Sequence, residues 1–340
     1  MFEEKRLMML YGLTSSHVGT GDTLSYIDLP IQREKHTGFP KIEASSLKGS
    51  IRQTMTKEED KQRSSQESST VTIGEEGESE KDLEKYPRTK RLLGSSDTGE
   101  QASAVAISDA RILFFPVKSA KGVFAWVTCP MVMRRFQQDC QLLGFNTLAG
   151  ALNGFDFSDE NRSCQTLTSI LKLHSDKDIV VLEEFDFMPD QCEGFNKWVE
   201  AVASYFPKPF PNDSSKSLIE CSEFKKRVIM IPDADFEYFV KHSTEVNTRI
   251  RINSDTGVVD KEKGALFTEE YLPPESILYS LLFLTDERVK EGKMKVIDIE
   301  SEMSCLLHER LLQIGGNTTH GKGLFKIRWE KEAVKNGKNK

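Results

Sequence analysis

The six cysteines (Cys129, Cys140, Cys164, Cys192, Cys221, Cys305) stand at least eleven residues apart and form no C-x-x-C or C-x-x-H pair. That spacing excludes a zinc ribbon, a redox pair or a disulfide-stapled miniprotein, and it fits reduced cytosolic thiols. The six histidines offer no spaced ligand set for a dedicated metal site. No long hydrophobic run is present either. The longest, around Ile277–Leu284, falls far short of the ~20 residues a bilayer crossing needs. Met1–Leu13 carries charge where a signal peptide needs an apolar core, so the expectation is a cytoplasmic protein with no membrane partner. A positive charge excess is also missing. The net charge of −7 argues, taken whole, against a chain that must neutralise phosphates.

What is present departs from these averages locally. Lys57–Glu100 holds twelve acidic and eight basic residues but only six apolar ones, a composition that reads as a solvated, disordered insertion over 57–103. Elsewhere the charge reverses. Asp28–Arg52 has five cations against three anions, and His320–Lys340 has seven against two, ending in a basic tail at 331–340. Basic stripes on an acidic chain are compatible with a polyanion partner.

With 340 residues there is room for a substantial core. Leu7–Leu13 reads as a buried strand followed by a loop, and Leu47, Ile51 and Met55 mark the apolar stripe of a helix capped by Ser45-Ser46. A hairpin over Ile107–Pro116 and Val123–Thr128 precedes a helix from Pro130 to about Leu143. Residues 150–225 give no strong period. An exposed hairpin follows, from Arg249–Asn253 through a turn at Asp255-Thr256-Gly257 to Ala265–Tyr271. Ser276–Leu284 reads as a strand, Ile297–Leu312 as a helix and Leu324–Trp329 as a last strand. Strand, helix, hairpin, helix, strand is the order of a ferredoxin-like α+β sheet, here a single domain over 1–56 and 104–330.

Three stretches can carry chemistry. Lys48 and Arg52 lie four apart, on one face near the positive end of a helix, an arrangement that can grip phosphate. A solvated helix face is the commoner use of such a pair. Ile314–Gly323 is a glycine-rich loop whose backbone N–H groups can approach an anion, with His320 and Lys322 beside it. It misses a Walker A match, because Gly323 stands where Ser or Thr should meet Mg²⁺ and a strand rather than a helix follows. Asp28 precedes Leu29-Pro30 and so sits in extended or turn backbone. A loop carboxylate beside a cationic helix can hold a divalent ion or orient a 2′-hydroxyl, and it can equally cap a turn. His17 on the preceding loop is a candidate proton donor or phosphate contact.

The segments HVGTGD, IDLPIQREKHTGFP, ASSLKGSIR, ISDARILFFPVKSAKGVFAWVTCP, STEVNTRIRINSDTG, EEYLP and LLQIGGNTTHGKGLFKI together resemble the RAMP-superfamily backbone subunit of type III-B CRISPR effector (Cmr) complexes. The resemblance covers residues 7–56, 104–143 and 240–328. It implies an RRM-like palm with an inserted thumb β-hairpin over Arg249–Leu272, repeated as a filament along one guide crRNA with other Cmr subunits. The thumb would displace nucleotides of a paired target RNA, and Asp28 would be the catalytic residue and the ligand of a divalent cation, Mg²⁺ or Mn²⁺. His17 and Glu245 match positions near the cleavage site. Guide contacts would fall on Lys48, Arg52 and Ser46 and on Gly315, Gly316, His320, Gly321 and Lys322, with Arg249 and Arg251 contacting RNA from the thumb. The alternative is a purely structural RNA-binding filament subunit, and Asp28 separates the two.

Overall fold

Leu7–Tyr11 is buried without a break, the pattern of a strand covered on both faces, and it forms the middle of the palm. The computed structural model describes residues 2–21, 26–67, 87–95, 101–173, 178–207, 221–250, 256–259, 266–289 and 292–330. The elements that position the site are strands β1 (Glu4–Gly12), β2 (Ala110–Lys118), β3 (Phe124–Thr128), β4 (Glu245–Ile250), β5 (Leu266–Tyr271), β6 (Ile277–Leu284), β7 (Arg310–Gln313) and β8 (Leu324–Glu330). The helices are α1 (Ala44–Glu67), α2 (Pro87–Leu93), α3 (Pro130–Leu143) and α4 (Val296–Leu307).

The main sheet runs β7-β8-β1-β6-β2-β3 with antiparallel neighbours, then continues through Val228–Met230, Cys164–Gln165 and Asp190–Gln191. Its central strands β8-β1-β6-β2 have the ferredoxin order. The expected hairpin exists as β2–β3, with Phe115 opposite Val127, but it is not the palm's own inner pair. The partner of β2 within the palm is β6, with residues 119–276 lying between them in sequence. Leu47, Ile51 and Met55 are buried as their spacing predicts, and α3 covers Pro130–Leu143, ending on Gly144 in the left-handed region. The C-terminal helix is shorter than expected. It stops at Leu307, Glu309 turns the chain at φ 55°, and Arg310–Gln313 returns as β7 because those residues pair with β8.

The insertion is packed at both ends, contrary to its composition. Helix α1 passes through Lys57 to Glu67, and α2 seats Leu92 and Leu93 in the core at 0% and 2% exposure. Glu59 on α1 accepts the Thr89 amide at 2.7 Å and its hydroxyl at 2.9 Å. Arg91 forks the buried carboxylate of Glu287, with Nη2 to Oε2 at 2.7 Å. Two leucines, the Glu59–Thr89 hydrogen bonds and the Arg91–Glu287 ion pair anchor these flanks, and an average over 44 positions conceals them. Residues 68–86 and 96–100 lie outside the described residues, as do Arg251 and the basic tail at 331–340. The thumb hairpin starts earlier than predicted, at Glu245, with Glu245 opposite Tyr271 and Ile250 opposite Leu266.

Candidate functional site

The loop between β1 and α1 folds onto the free edge of β5. Leu29 donates its amide to the Thr268 carbonyl at 3.0 Å, and Glu270 returns its amide to Leu29 at 3.0 Å, a parallel bridge that extends the hairpin by one short segment. Asp28 is thereby set beside Thr268. Its amide donates to Thr268 Oγ1 at 3.0 Å, while its Oδ2 accepts the Thr268 amide at 2.7 Å and hydroxyl at 2.8 Å. The backbone bond first, and then the hydroxyl bond, hold the carboxyl below its ordinary range. Asp28 is exposed, so an ionised carboxylate on a fixed loop is presented to solvent with Oδ1 not taken by Thr268.

Glu270 fastens this loop from the other side. It is 2% exposed and accepts from Arg33 at 2.5 Å, from Thr244 Oγ1 at 2.8 Å and from the Ile31 amide at 3.0 Å. Arg33 is itself held by the carbonyls of Gly38 and Val240 at 2.8 and 2.9 Å.

On the opposite face of β5 lies a second cluster. His17 places Nδ1 2.7 Å from the Glu270 carbonyl, so that nitrogen carries the proton, and Nε2 faces Glu269 Oε1 at 3.6 Å. Tyr271 donates its hydroxyl to Glu269 Oε2 and receives Arg249 Nη2, each at 2.5 Å. Burial and the Glu269 bond push the Tyr271 phenol up. For Glu269, burial raises the carboxyl, and bonds from Tyr271 and Asn317 with the charges of His17 and Arg249 outweigh it, leaving a net lowering. The carboxylate facing His17 is thus Glu269. Glu245 accepts from Ser15 Oγ at 2.7 Å. Sequence reasoning missed Glu269 and Tyr271, although strand alternation puts both on one face with Phe267, the residue across from Arg249. Arg249 is engaged in this cluster rather than projecting alone.

Beside His17 opens a cleft of about 470 Å³, lined by His17, Val18 and Gly19, by Ser46, Gly49, Ser50 and Gln53 of α1, and by Gly315 and Gly316. The α1 face turned to it is small and neutral. Lys48 and Arg52 share a different face, as their mutual repulsion records. Burial first, then the Arg52 charge, depresses the Lys48 amine. Arg52 donates to the carbonyls of Leu93 and Gly94 at 3.0 and 3.1 Å, so it anchors α2. The expected phosphate grip therefore does not line the cleft. Nor do the serines cap α1 as predicted. The helix begins at Ala44, whose amide goes to Asp109 Oδ1 at 2.8 Å, a cap supplied from 65 residues away, while Ser46 accepts from Gln32 Nε2 at 3.2 Å.

The glycine-rich loop is shaped by close approach. Gly316 donates its amide to the His17 carbonyl at 2.9 Å, and a Cβ on Gly315, at φ 87°, would stand 2.3 Å from that oxygen. His320 and Gly321 are exposed at its tip, and Lys322 Nζ lies 4.9 Å from the centre of the Tyr271 ring. Among the described residues no group of three His, Cys, Asp or Glu side chains could hold a metal ion.

A palm of this order, a thumb hairpin and a glycine-rich loop against its base agree with the RAMP superfamily family model, which matches residues 9–326. The chain belongs to the RAMP superfamily. It is 36% identical over 333 residues to the CRISPR system Cmr endoribonuclease Cmr4 of Pyrococcus furiosus, covering 97% of each chain. It is 23% identical to the CMR subunit Cmr4 of Saccharolobus solfataricus, covering 93% of this chain and 94% of that one. The crystal structure of oligomeric Cmr4 from Pyrococcus furiosus superposes with a TM-score of 0.64 at 28% identity, covering 97% of this chain and 100% of that chain. A chain of the cryo-EM structure of the type III-B Cmr-beta complex bound to cognate target RNA shares the fold, with a TM-score of 0.66 at 21% identity over 96% of this chain and 98% of that one. Among the described residues no helix is long and apolar enough to cross a membrane.

Proposed function

We propose that the chain is the guide-binding backbone subunit of a type III-B CRISPR effector. It assembles in the cytoplasm with further copies of itself and other Cmr subunits along one crRNA and cuts complementary target RNA. The observation that carries this reading is Asp28: an exposed, ionised carboxylate fixed on the thumb strand, with His17 held by the next two residues of that strand. Membership of the family and the 36% identity to an endoribonuclease support it.

RNA carries its own nucleophile, so the protein needs only to align a 2′-oxygen with the phosphorus and leaving group and to manage one proton on each side. The outer half of the thumb exposes Ile250 (53%) and Leu266 (70%), a cross-strand apolar pair suited to enter between bases and splay a nucleotide. Asp28 orients the 2′-hydroxyl and accepts its proton. With Nδ1 bound to Glu270, His17 can exchange a proton only through Nε2, the nitrogen that Glu269 aligns, and this serves the departing 5′-oxygen. The small-residue cleft beside His17 takes the guide backbone, because Gly49, Gly315 and Gly316 let a strand come close. Sequence choice then rests on base pairing to the guide rather than on the protein. A requirement for Mg²⁺ or Mn²⁺ is part of the proposal, and chelation followed by readdition of each metal tests it.

The deciding experiment is Asp28→Ala in the complex assembled with guide and target RNA. Assembly and target binding are expected to persist while cleavage is abolished, and the wild type is expected to yield a 2′,3′-cyclic phosphate and a 5′-hydroxyl and to spare DNA. Persistent cutting by the variant removes Asp28 from the mechanism. A wild-type complex that binds target without cutting it would make the chain a structural filament subunit only.

A further inference from the structure

Asn317 stands where the cleft and the thumb strand meet. Two residues before it, Gly315 and Gly316 line the cleft, whereas its own side chain turns inward to β5. Its Nδ2 donates to Glu269 Oε1 at 2.5 Å and to the Tyr271 hydroxyl at 3.1 Å. Oε1 is the same oxygen that faces His17 Nε2, while Oε2 is occupied by Tyr271 and by Arg249 Nε at 3.2 Å. Asn317 therefore fixes which edge of the carboxylate the imidazole meets. The residue also adopts φ 58°, a left-handed backbone that glycine would take at less cost, so the turn alone does not require an amide side chain.

We propose that Asn317 is a positioning residue for RNA cleavage: its amide locks Glu269 and Tyr271 against His17, so that the loop lining the cleft also sets the geometry of the proton-transfer group. This rests on the function proposed above and extends it, since Asn317 touches neither of the reacting groups, Asp28 and His17, in the described contacts. The groups around Glu269 are His17, Tyr271 and Arg249, with Lys322 over the ring of Tyr271. Loss of a neutral donor from a carboxylate favours its protonated form, so the acid limb of the cleavage profile should move to higher pH.

The test uses the complex assembled with guide RNA, and reads single-turnover target cleavage across pH together with guide retention and target affinity. Asn317→Gly relieves the backbone and removes only the amide. It is expected to assemble and bind as the wild type does, to cleave roughly tenfold more slowly, as loss of an orienting hydrogen bond to a charged group predicts, and to show the upward shift of the acid limb. Asn317→Asp keeps the shape but sets a second carboxylate against Glu269, so the shift should be larger in the same direction. A wild-type rate and pH profile for Asn317→Gly overturns the proposal, as does a loss confined to guide retention. Asp28→Ala run in parallel keeps the two readings apart. If it is inactive while Asn317→Gly is normal, only the positioning role falls, whereas if it cleaves, the cleavage mechanism falls whatever Asn317 does.

Discussion

Removing the Glu270 carboxylate should unhook the Asp28 loop from the thumb. Glu270→Ala strips the acceptor from Arg33, Thr244 and the Ile31 amide at a site 2% exposed. Breaking a buried ion pair from one side costs about 3–5 kcal/mol. Arg33 is 20% exposed and keeps the Gly38 and Val240 carbonyls, so the lower end, about 3 kcal/mol, is the expected loss for this pair. Arg33→Met leaves Glu270 with two donors and should cost somewhat less. The double variant Arg33→Met/Glu270→Met should lose less than the sum of its singles, with a coupling of about 1–3 kcal/mol, because neither charge is then stranded. Urea unfolding of the isolated subunit measures the energies. Hydrogen exchange at the Leu29 and Glu270 amides reports whether the bridge to β5 has opened, and cleavage by the assembled complex should fall with it. A loss below about 1 kcal/mol for Glu270→Ala, or strict additivity in the double variant, would refute the reasoning.

Leu92→Ala should cost about 2–5 kcal/mol, as for other buried leucines, and deletion of residues 57–100 should abolish soluble folding. A melting temperature unchanged in both would return the insertion to the solvated state its composition implies. Gly315→Ala forces a methyl to 2.3 Å from the His17 carbonyl at φ 87°, so guide retention should drop, and filter binding with labelled guide detects it. The Glu287 carboxyl is lowered from its ordinary 4.5, mainly by Arg91 acting against burial. Since the folded value lies below the unfolded one, this stability is present above about pH 4.5 and is lost as the pH falls through the folded value. Arg91→Met should therefore flatten the acid side of a stability-versus-pH curve, and an unchanged curve would count against the clasp.

Local signals were legible wherever the chain decides its own conformation. The 3.6-residue stripe of Leu47, Ile51 and Met55, the Pro130 start of α3 and the apolar run of β6 all appear where the sequence places them. The family motifs carried the palm and the thumb as well. Errors gathered where one segment is completed by another far along the chain. The α1 cap comes from Asp109 rather than from Ser45-Ser46, and the C-terminal helix gives way at Glu309 to a strand that pairs with β8.

The amino-acid sequence alone determined the periodicities, the turn glycines and the loop that bears Asp28, because these follow from short-range backbone preference and from the faces that a helix or strand must bury. Only the tertiary structure decided which face of α1 meets the cleft, which carboxylate faces the imidazole, and that the ends of the acidic insertion are packed. Those outcomes depend on hydrogen bonds and ion pairs between residues tens to hundreds of positions apart. Spacing along the chain carries no record of such distances until the sheet has closed.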